Sequence, residues 1–110
     1  MSFYLIHSIS NTDPIKCILI IYFFSCYNST TFEQTLTLST NKIISVTALL
    51  NLTNLTHLDL LHNKIIDISS LHTLTSLNYL NITENQIVDI TAIAPMVALV
   101  ELHASSNPVR

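Results

Sequence analysis

Apolar and polar positions recur along most of the chain with a fixed period. Asn41, Asn63, Asn85 and Asn107 stand 22 residues apart. Aligned on them, the chain reads Leu36-x-Leu38-x-x-Asn41-x-Ile43, then Leu58-x-Leu60-x-x-Asn63-x-Ile65. The next units are Leu80-x-Ile82-x-x-Asn85-x-Ile87 and Leu102-x-Ala104-x-x-Asn107-x-Val109. The second half of each unit repeats as well: Val46, Leu49 and Leu52 become Ile68, Leu71 and Leu74, then Ile90, Ile93 and Met96. A further column holds Leu55, Leu77 and Leu99, with Glu33 as the one polar exception in the apolar columns. Two leucines two apart point to the same face of a strand. One short strand cannot bury that face alone, whereas stacked neighbours bury it for one another. The pattern predicts an α/β repeat solenoid with units 33–54, 55–76, 77–98 and a partial 99–110, each led by one short strand.

The polar columns fit the same frame. Asparagine tolerates left-handed backbone, and its amide both donates and accepts. The four asparagines are therefore expected at the corner after each strand, bonded to their own turn and to the next repeat as a structural ladder. In the other half, Asp67-Ile68-Ser69 and Asp89-Ile90-Thr91, with Ser45-Val46-Thr47 equivalent, supply caps for a short helical turn. Pro95 limits the third such turn to a 3-10 or irregular segment.

The full pattern L-x-x-L-x-L-x-x-N-x-I-x-D-I-x-x-L-x-x-L resembles a leucine-rich repeat of the 22-residue class, typified by bacterial internalins and the regulatory subunit of protein phosphatase 1. The resemblance spans residues 33–110. It implies a right-handed coil with short parallel strands on a concave side and 3-10, irregular or short-helical segments on the convex side. It further implies a non-enzymatic module that binds a protein partner through the concave face, either as a regulatory adaptor or as a secreted or membrane-tethered internalin-like adhesin. A third reading is a structural repeat fragment of a larger protein. Asn107-Pro108-Val109 resembles the last repeat before a terminal cap in the phosphatase-regulator branch, and the fourth unit stops before its convex half, so the chain reads as a fragment.

Composition narrows the chemistry. The chain has no glycine, which excludes phosphate-cradling glycine loops, dinucleotide fingerprints and nucleophile elbows. With 4 Lys+Arg against 7 Asp+Glu, a net charge of -3, it lacks the basic stripe of a nucleic-acid binder. No cofactor or small-molecule substrate is expected. The five histidines occur singly, without a His-x-x-x-His pair. Asp59, Asn81 and His103 share a column, but two strand spacings put its ends about 10 Å apart, too far for one ion. No serine has a base and an orienting acid at motif spacing.

Residues 1–32 do not repeat. Their apolar run 17–27, which includes Cys17 and Cys26, has 11 residues, against about 20 for a simple membrane span. It suits a capping extension, a signal or anchor segment, or upstream sequence foreign to the fold. Location in the cytoplasm, secretion and tethering all stay open. Four glycosylation sequons, at Asn28, Asn51, Asn54 and Asn81, are only a mild excess over chance. Function is expected on the outward strand positions, which differ from unit to unit: His57, Asp59, Leu61, Tyr79, Asn81, Thr83, Glu101 and His103. Tyr79, between His57 and Glu101, is the natural anchor, since tyrosine is favoured at binding hot spots.

Overall fold

The computed structural model describes residues 3–4 and 34–110. The apolar run 17–27 with its two cysteines, His7, Asn28 and Glu33 lie outside the described residues. Five strands form one parallel sheet in sequence order: β1 (Phe3–Tyr4), β2 (Gln34–Thr37), β3 (Leu55–Asp59), β4 (Tyr79–Asn81) and β5 (Glu101–His103). From β3 onward the register steps by one repeat period: His57 pairs with Tyr79 and Tyr79 with Glu101. Three 3-10 helices, Thr47–Leu49, Ser69–Thr73 and Thr91–Ile93, occupy the return segments. There is no α-helix among the described residues. The chain is a repeat solenoid with short parallel strands.

The interior follows the predicted columns. Leu36, Leu38, Leu58, Leu60, Leu80 and Ile82 from the strands and corners pack on Leu49, Leu52, Ile68, Leu71 and Leu74 from the return segments, all essentially without solvent contact. Each such side chain contributes roughly 2 kcal/mol through burial. The fourth unit departs from this expectation. Leu102 is 39% and Val109 40% exposed, and Leu99 and Ala104 are only partly buried. These residues occupy interior columns of the last described unit.

The asparagine ladder exists, with its direction reversed from the expectation. Asn63 Oδ1 accepts the Ile43 N–H at 3.0 Å, and its Nδ2 donates to the carbonyls of Leu38 (3.1 Å), Leu60 (3.0 Å) and Leu61 (3.3 Å). Asn85 makes the equivalent bonds to Ile65, Leu60, Ile82 and Thr83. Asn107 makes them to Ile87, Ile82, Ala104 and Ser105. Each amide therefore reaches back to the preceding repeat rather than forward to the next.

The corner conformation also moves by one position. The left-handed residues are Thr40 (φ 56°), His62 (58°), Glu84 (58°) and Ser106 (57°), each immediately before its asparagine. A left-handed backbone costs a non-glycine residue roughly 1–2 kcal/mol, and a β-branched residue such as Thr40 is a true outlier there. The bend is nevertheless held in place by strand-type bonds that continue through it, Thr40 N–H to Leu61 O at 2.7 Å and His62 N–H to Thr83 O at 2.9 Å. A second backbone ladder beyond the corner, Lys64 N–H to Ile43 O and Gln86 N–H to Ile65 O, both at 2.9 Å, binds the repeats again.

The caps act two residues ahead. Asp67 Oδ1 accepts the Ser69 N–H and Asp89 Oδ1 the Thr91 N–H, each at 2.8 Å, and Ser45 Oγ accepts the Thr47 N–H at 3.3 Å. Hydrogen bonds from the Ser69 backbone and then its side chain hold the Asp67 carboxyl below the ordinary value near 3.8, against desolvation and the charge of Asp89. Thr91 does the same for Asp89 against desolvation alone.

Three outcomes follow from this architecture. Asn63→Leu, which strands the Ile43 N–H and takes one of two amide donors from the Leu38 and Leu60 carbonyls, should lower unfolding stability by about 2 kcal/mol, at roughly 1–3 kcal/mol per buried unsatisfied group. Urea titration beside the exposed Asn51→Leu checks this, and equal losses would refute the ladder's role. Thr40→Gly should raise stability by up to about 1 kcal/mol, the relieved strain less the extra chain entropy of glycine; a fall in the urea midpoint would contradict it. Because the native carboxyls titrate below their unfolded value, the cap contribution is complete above about pH 4 and is lost as pH falls through the lowered native values. Asp67→Asn, which keeps the acceptor oxygen, should therefore flatten the acid limb of a melting-temperature profile, and an unchanged limb would assign acid sensitivity elsewhere.

Candidate functional site

The outward side chains of β2 to β5 form three aligned columns on the strand face. Thr35, His57, Tyr79 and Glu101 make the first, and Thr37, Asp59, Asn81 and His103 the second. Leu61 and Thr83, just past the strands, occupy the third. His57, Asp59, Leu61, Tyr79, Asn81 and Thr83 are half-buried, while Glu101 and His103 on the last strand are exposed. Parallel pairing thus brings all eight predicted residues onto one face.

Tyr79 is the centre of that face, and its neighbours are set by the diagonal as well as the register. Its ring stacks on His57 with centroids 5.9 Å apart and planes 18° from parallel. On the other side it meets His103 at 5.5 Å and 49°. Directly opposite on β5 stands Glu101, but the ring contact goes to the residue two further on. Large side chains reach diagonal neighbours across strands in this way. Pairs of this geometry contribute about 0.5–1.5 kcal/mol beyond burial when both rings are aromatic hydrocarbons.

Polar contacts fix the remaining groups. His57 Nδ1 lies 3.0 Å from Thr56 Oγ1. His103 Nε2 donates to Glu101 Oε2 at 2.7 Å, and His62 Nδ1 donates to Glu84 Oε2 at 2.8 Å across adjacent repeats. Both of these pairs are solvent-exposed. Asp59 and Asn81 carry a structural duty that column spacing does not reveal. Asp59 Oδ1 accepts the Leu61 N–H and Asn81 Oδ1 the Thr83 N–H, each at 3.0 Å, closing the same turn in successive repeats. The signal was present as an Asp or Asn two residues before a bend, the local motif of an Asx turn. Asn81 Nδ2 also reaches the Tyr79 hydroxyl at 3.5 Å.

The His62–Glu84 pair is a second feature that column reasoning undervalued. Both residues stand at the left-handed corner, where the backbone turns their side chains toward each other. On the opposite side of the solenoid, Asp67, Ser69, His72, Asp89 and Pro95 line a recess of about 200 Å³. Its carboxylates are the caps described above, and His72 Nδ1 donates to the Ser69 carbonyl at 2.7 Å. Among the described residues, no group of three or more His, Cys, Asp or Glu is placed to hold a metal ion. Nor is any described helix long and apolar enough to cross a membrane.

Residues 53–95 match the family model described as leucine-rich repeats in two copies. Among solved structures, the chain is similar to an internalin (inlF) from Listeria monocytogenes, at 37% identity and a TM-score of 0.64 over 69% of this chain. It is also similar to internalin C2 (inlC2) of that organism, at 34% identity and a TM-score of 0.63 over 73% of this chain. The chain spans 22% of the first protein's length and 45% of the second's. None of the curated proteins compared with it matches. With 22-residue register, parallel strands and the asparagine ladder alongside these matches, the chain belongs to the leucine-rich-repeat family.

Proposed function

We propose that the chain is a protein-binding module whose strand face meets the partner. The observation that supports this most directly is the run of three rings, His57, Tyr79 and His103, in contact on a face whose backbone is tied at every repeat. A side chain already held by its neighbours loses little freedom when a partner covers it, so more of the contact energy appears as affinity. Tyrosine in such a setting offers an apolar ring with a polar tip. His57, Asp59, Leu61, Asn81, Thr83, Glu101 and His103 surround it with donors, acceptors and one aliphatic side chain. The outward residues differ from repeat to repeat while the interior columns are nearly uniform, which is the division of labour a binding scaffold needs.

Within this reading the internalin-like adhesin is favoured over a regulatory adaptor by the 37% identity to an internalin. Cell fractionation separates the two, because an adhesin belongs at the cell surface and an adaptor in the cytosol.

The face is tested with the tagged full chain as bait. Tyr79→Ala should weaken capture of its protein partners by roughly 30-fold, the loss of about 2 kcal/mol typical of a hot spot. Asp89→Asn, on the other side of the solenoid, should leave capture unchanged. Circular dichroism and melting confirm that both variants fold. Partners that bind the Tyr79 variant as tightly as the parent chain would place the site elsewhere.

A further inference from the structure

Past the corner, each repeat continues into a short extended stretch that forms one flank of the solenoid. Backbone bonds tie its rows together: Lys64 N–H to Ile43 O and Gln86 N–H to Ile65 O at 2.9 Å, then Arg110 N–H to Val88 O at 3.1 Å, with a parallel bridge between Ser45 and Asp67. Ile43, Ile65 and Ile87 turn toward the core, so the residues on either side of them turn outward. One outward column is aliphatic in three successive rows. Ile44, Ile66 and Val88 are 64%, 51% and 38% exposed. Exposed aliphatics scattered singly are ordinary, whereas the same choice row after row makes a contiguous stripe.

Charges of opposite sign border that stripe. Lys42 and Lys64 stand on the side of the strand face, while Asp67 and Asp89 stand on the side of the 3-10 helices that they cap. None of these four has an ion-pair partner among the described residues.

We propose that this flank is covered by the same flank of a second copy of the chain, the two solenoids lying side by side and parallel. A twofold contact sets one patch against itself, and the charged borders decide how. With the axis along the stripe, Ile44, Ile66 and Val88 meet their own equivalents, and Lys64 of each copy faces Asp67 of the other. Gln86 then faces Asp89, and Lys42 faces Ser45. With the axis across the stripe, Lys64 meets Lys64 and Asp67 meets Asp67, and like charges set together in an interface are costly. Only the parallel pair is complementary. Arg110 continues the aliphatic column in the fourth unit, and Asp89 of the facing copy lies about one strand spacing, roughly 5 Å, along the stack from it.

The contact is narrow, at the small end of specific interfaces and below about 1,200 Å² in total. The dimer is therefore a weak one, with a dissociation constant on the order of 0.1 mM. Rotation about the stripe points the two strand faces in opposite directions and leaves both open, so the dimer is divalent for whatever that face holds.

Sedimentation equilibrium of the full chain under reducing conditions, up to about 1 mM, reads the association directly. The parent chain should fit a monomer–dimer equilibrium, and Ile66→Asp should weaken it at least about tenfold. Val97→Asp, the same change at a 90% exposed site off the stripe, should leave it unaltered. Circular dichroism and melting confirm that both variants fold. Carbodiimide coupling in an equal mixture of unlabelled and heavy-isotope chains then reads the arrangement, and mixed-isotope links should join Lys64 to Asp67. A chain that stays monomeric throughout would overturn the proposal; if its protein capture fell with Ile66→Asp, the stripe would belong to another protein instead. A dimer that Ile66→Asp leaves intact would place the contact elsewhere on the chain and overturn it too. Mixed-isotope links that bypass the Lys64–Asp67 pair would overturn the parallel arrangement.

Discussion

The buried asparagine amide is the interaction on which the rest of this molecule depends. Each repeat turns a corner with backbone carbonyls facing inward, where no water reaches and an unpaired group costs about 1–3 kcal/mol. One side chain satisfies them. The Nδ2 of Asn63 serves its own corner at Leu60 and Leu61 and the previous corner at Leu38, while Oδ1 takes up the Ile43 N–H. Because the bonds reach back a repeat, each unit is completed by the one after it. Asn41, in the first described repeat, donates from Nδ2 to Leu38 and Ser39, and its buried Oδ1 has no partner among the described residues.

A chain without glycine must turn these corners with residues that resist the left-handed region. Thr40, His62, Glu84 and Ser106 adopt it all the same. Their strain, roughly 1–2 kcal/mol each, is offset by bonds the bend makes possible: the amide ladder behind it and the strand-type bonds through it. At His62 and Glu84 the bend has a further product, since it aims the two side chains at each other across adjacent repeats. The strained position thus also places a hydrogen-bonded His–Glu pair at the rim of the strand face.

Much of this was legible in the sequence, and the boundary between what was and what was not has a physical cause. Spacing alone assigned Leu58 and Leu60 to the interior and Asn63 to the ladder, because burial acts on every repeat alike and leaves a periodic mark. It could not tell that His62 rather than Asn63 takes the left-handed backbone, since both lie at the corner and asparagine has the greater tolerance for it. Nor could it give the direction of the ladder, since neighbours on either side repeat the same pattern of carbonyls and N–H groups. Leu102 and Val109 carry the interior pattern yet are exposed, because burial in a solenoid is supplied by the next repeat and not by the residue itself. On the strand face, columns place the eight candidate residues side by side, but Asp59 and Asn81 also close turns, and a periodic column does not mark a side chain that is held by the backbone.

The ladder governs the face as much as the core. Side chains alternate along a strand with a period of two, so a slip of one residue would turn Tyr79 inward and Leu80 outward. The strands are only three residues long at β4 and β5, too short for their own hydrogen bonds to hold the register firmly. What pins them is the asparagine a few residues on, whose Nδ2 donates to a carbonyl of the preceding repeat and whose Oδ1 accepts an N–H from it. The contact of Tyr79 with His57 and His103 presupposes that register. The outward residues therefore keep their places on the strand face only because an inward amide keeps each strand from slipping.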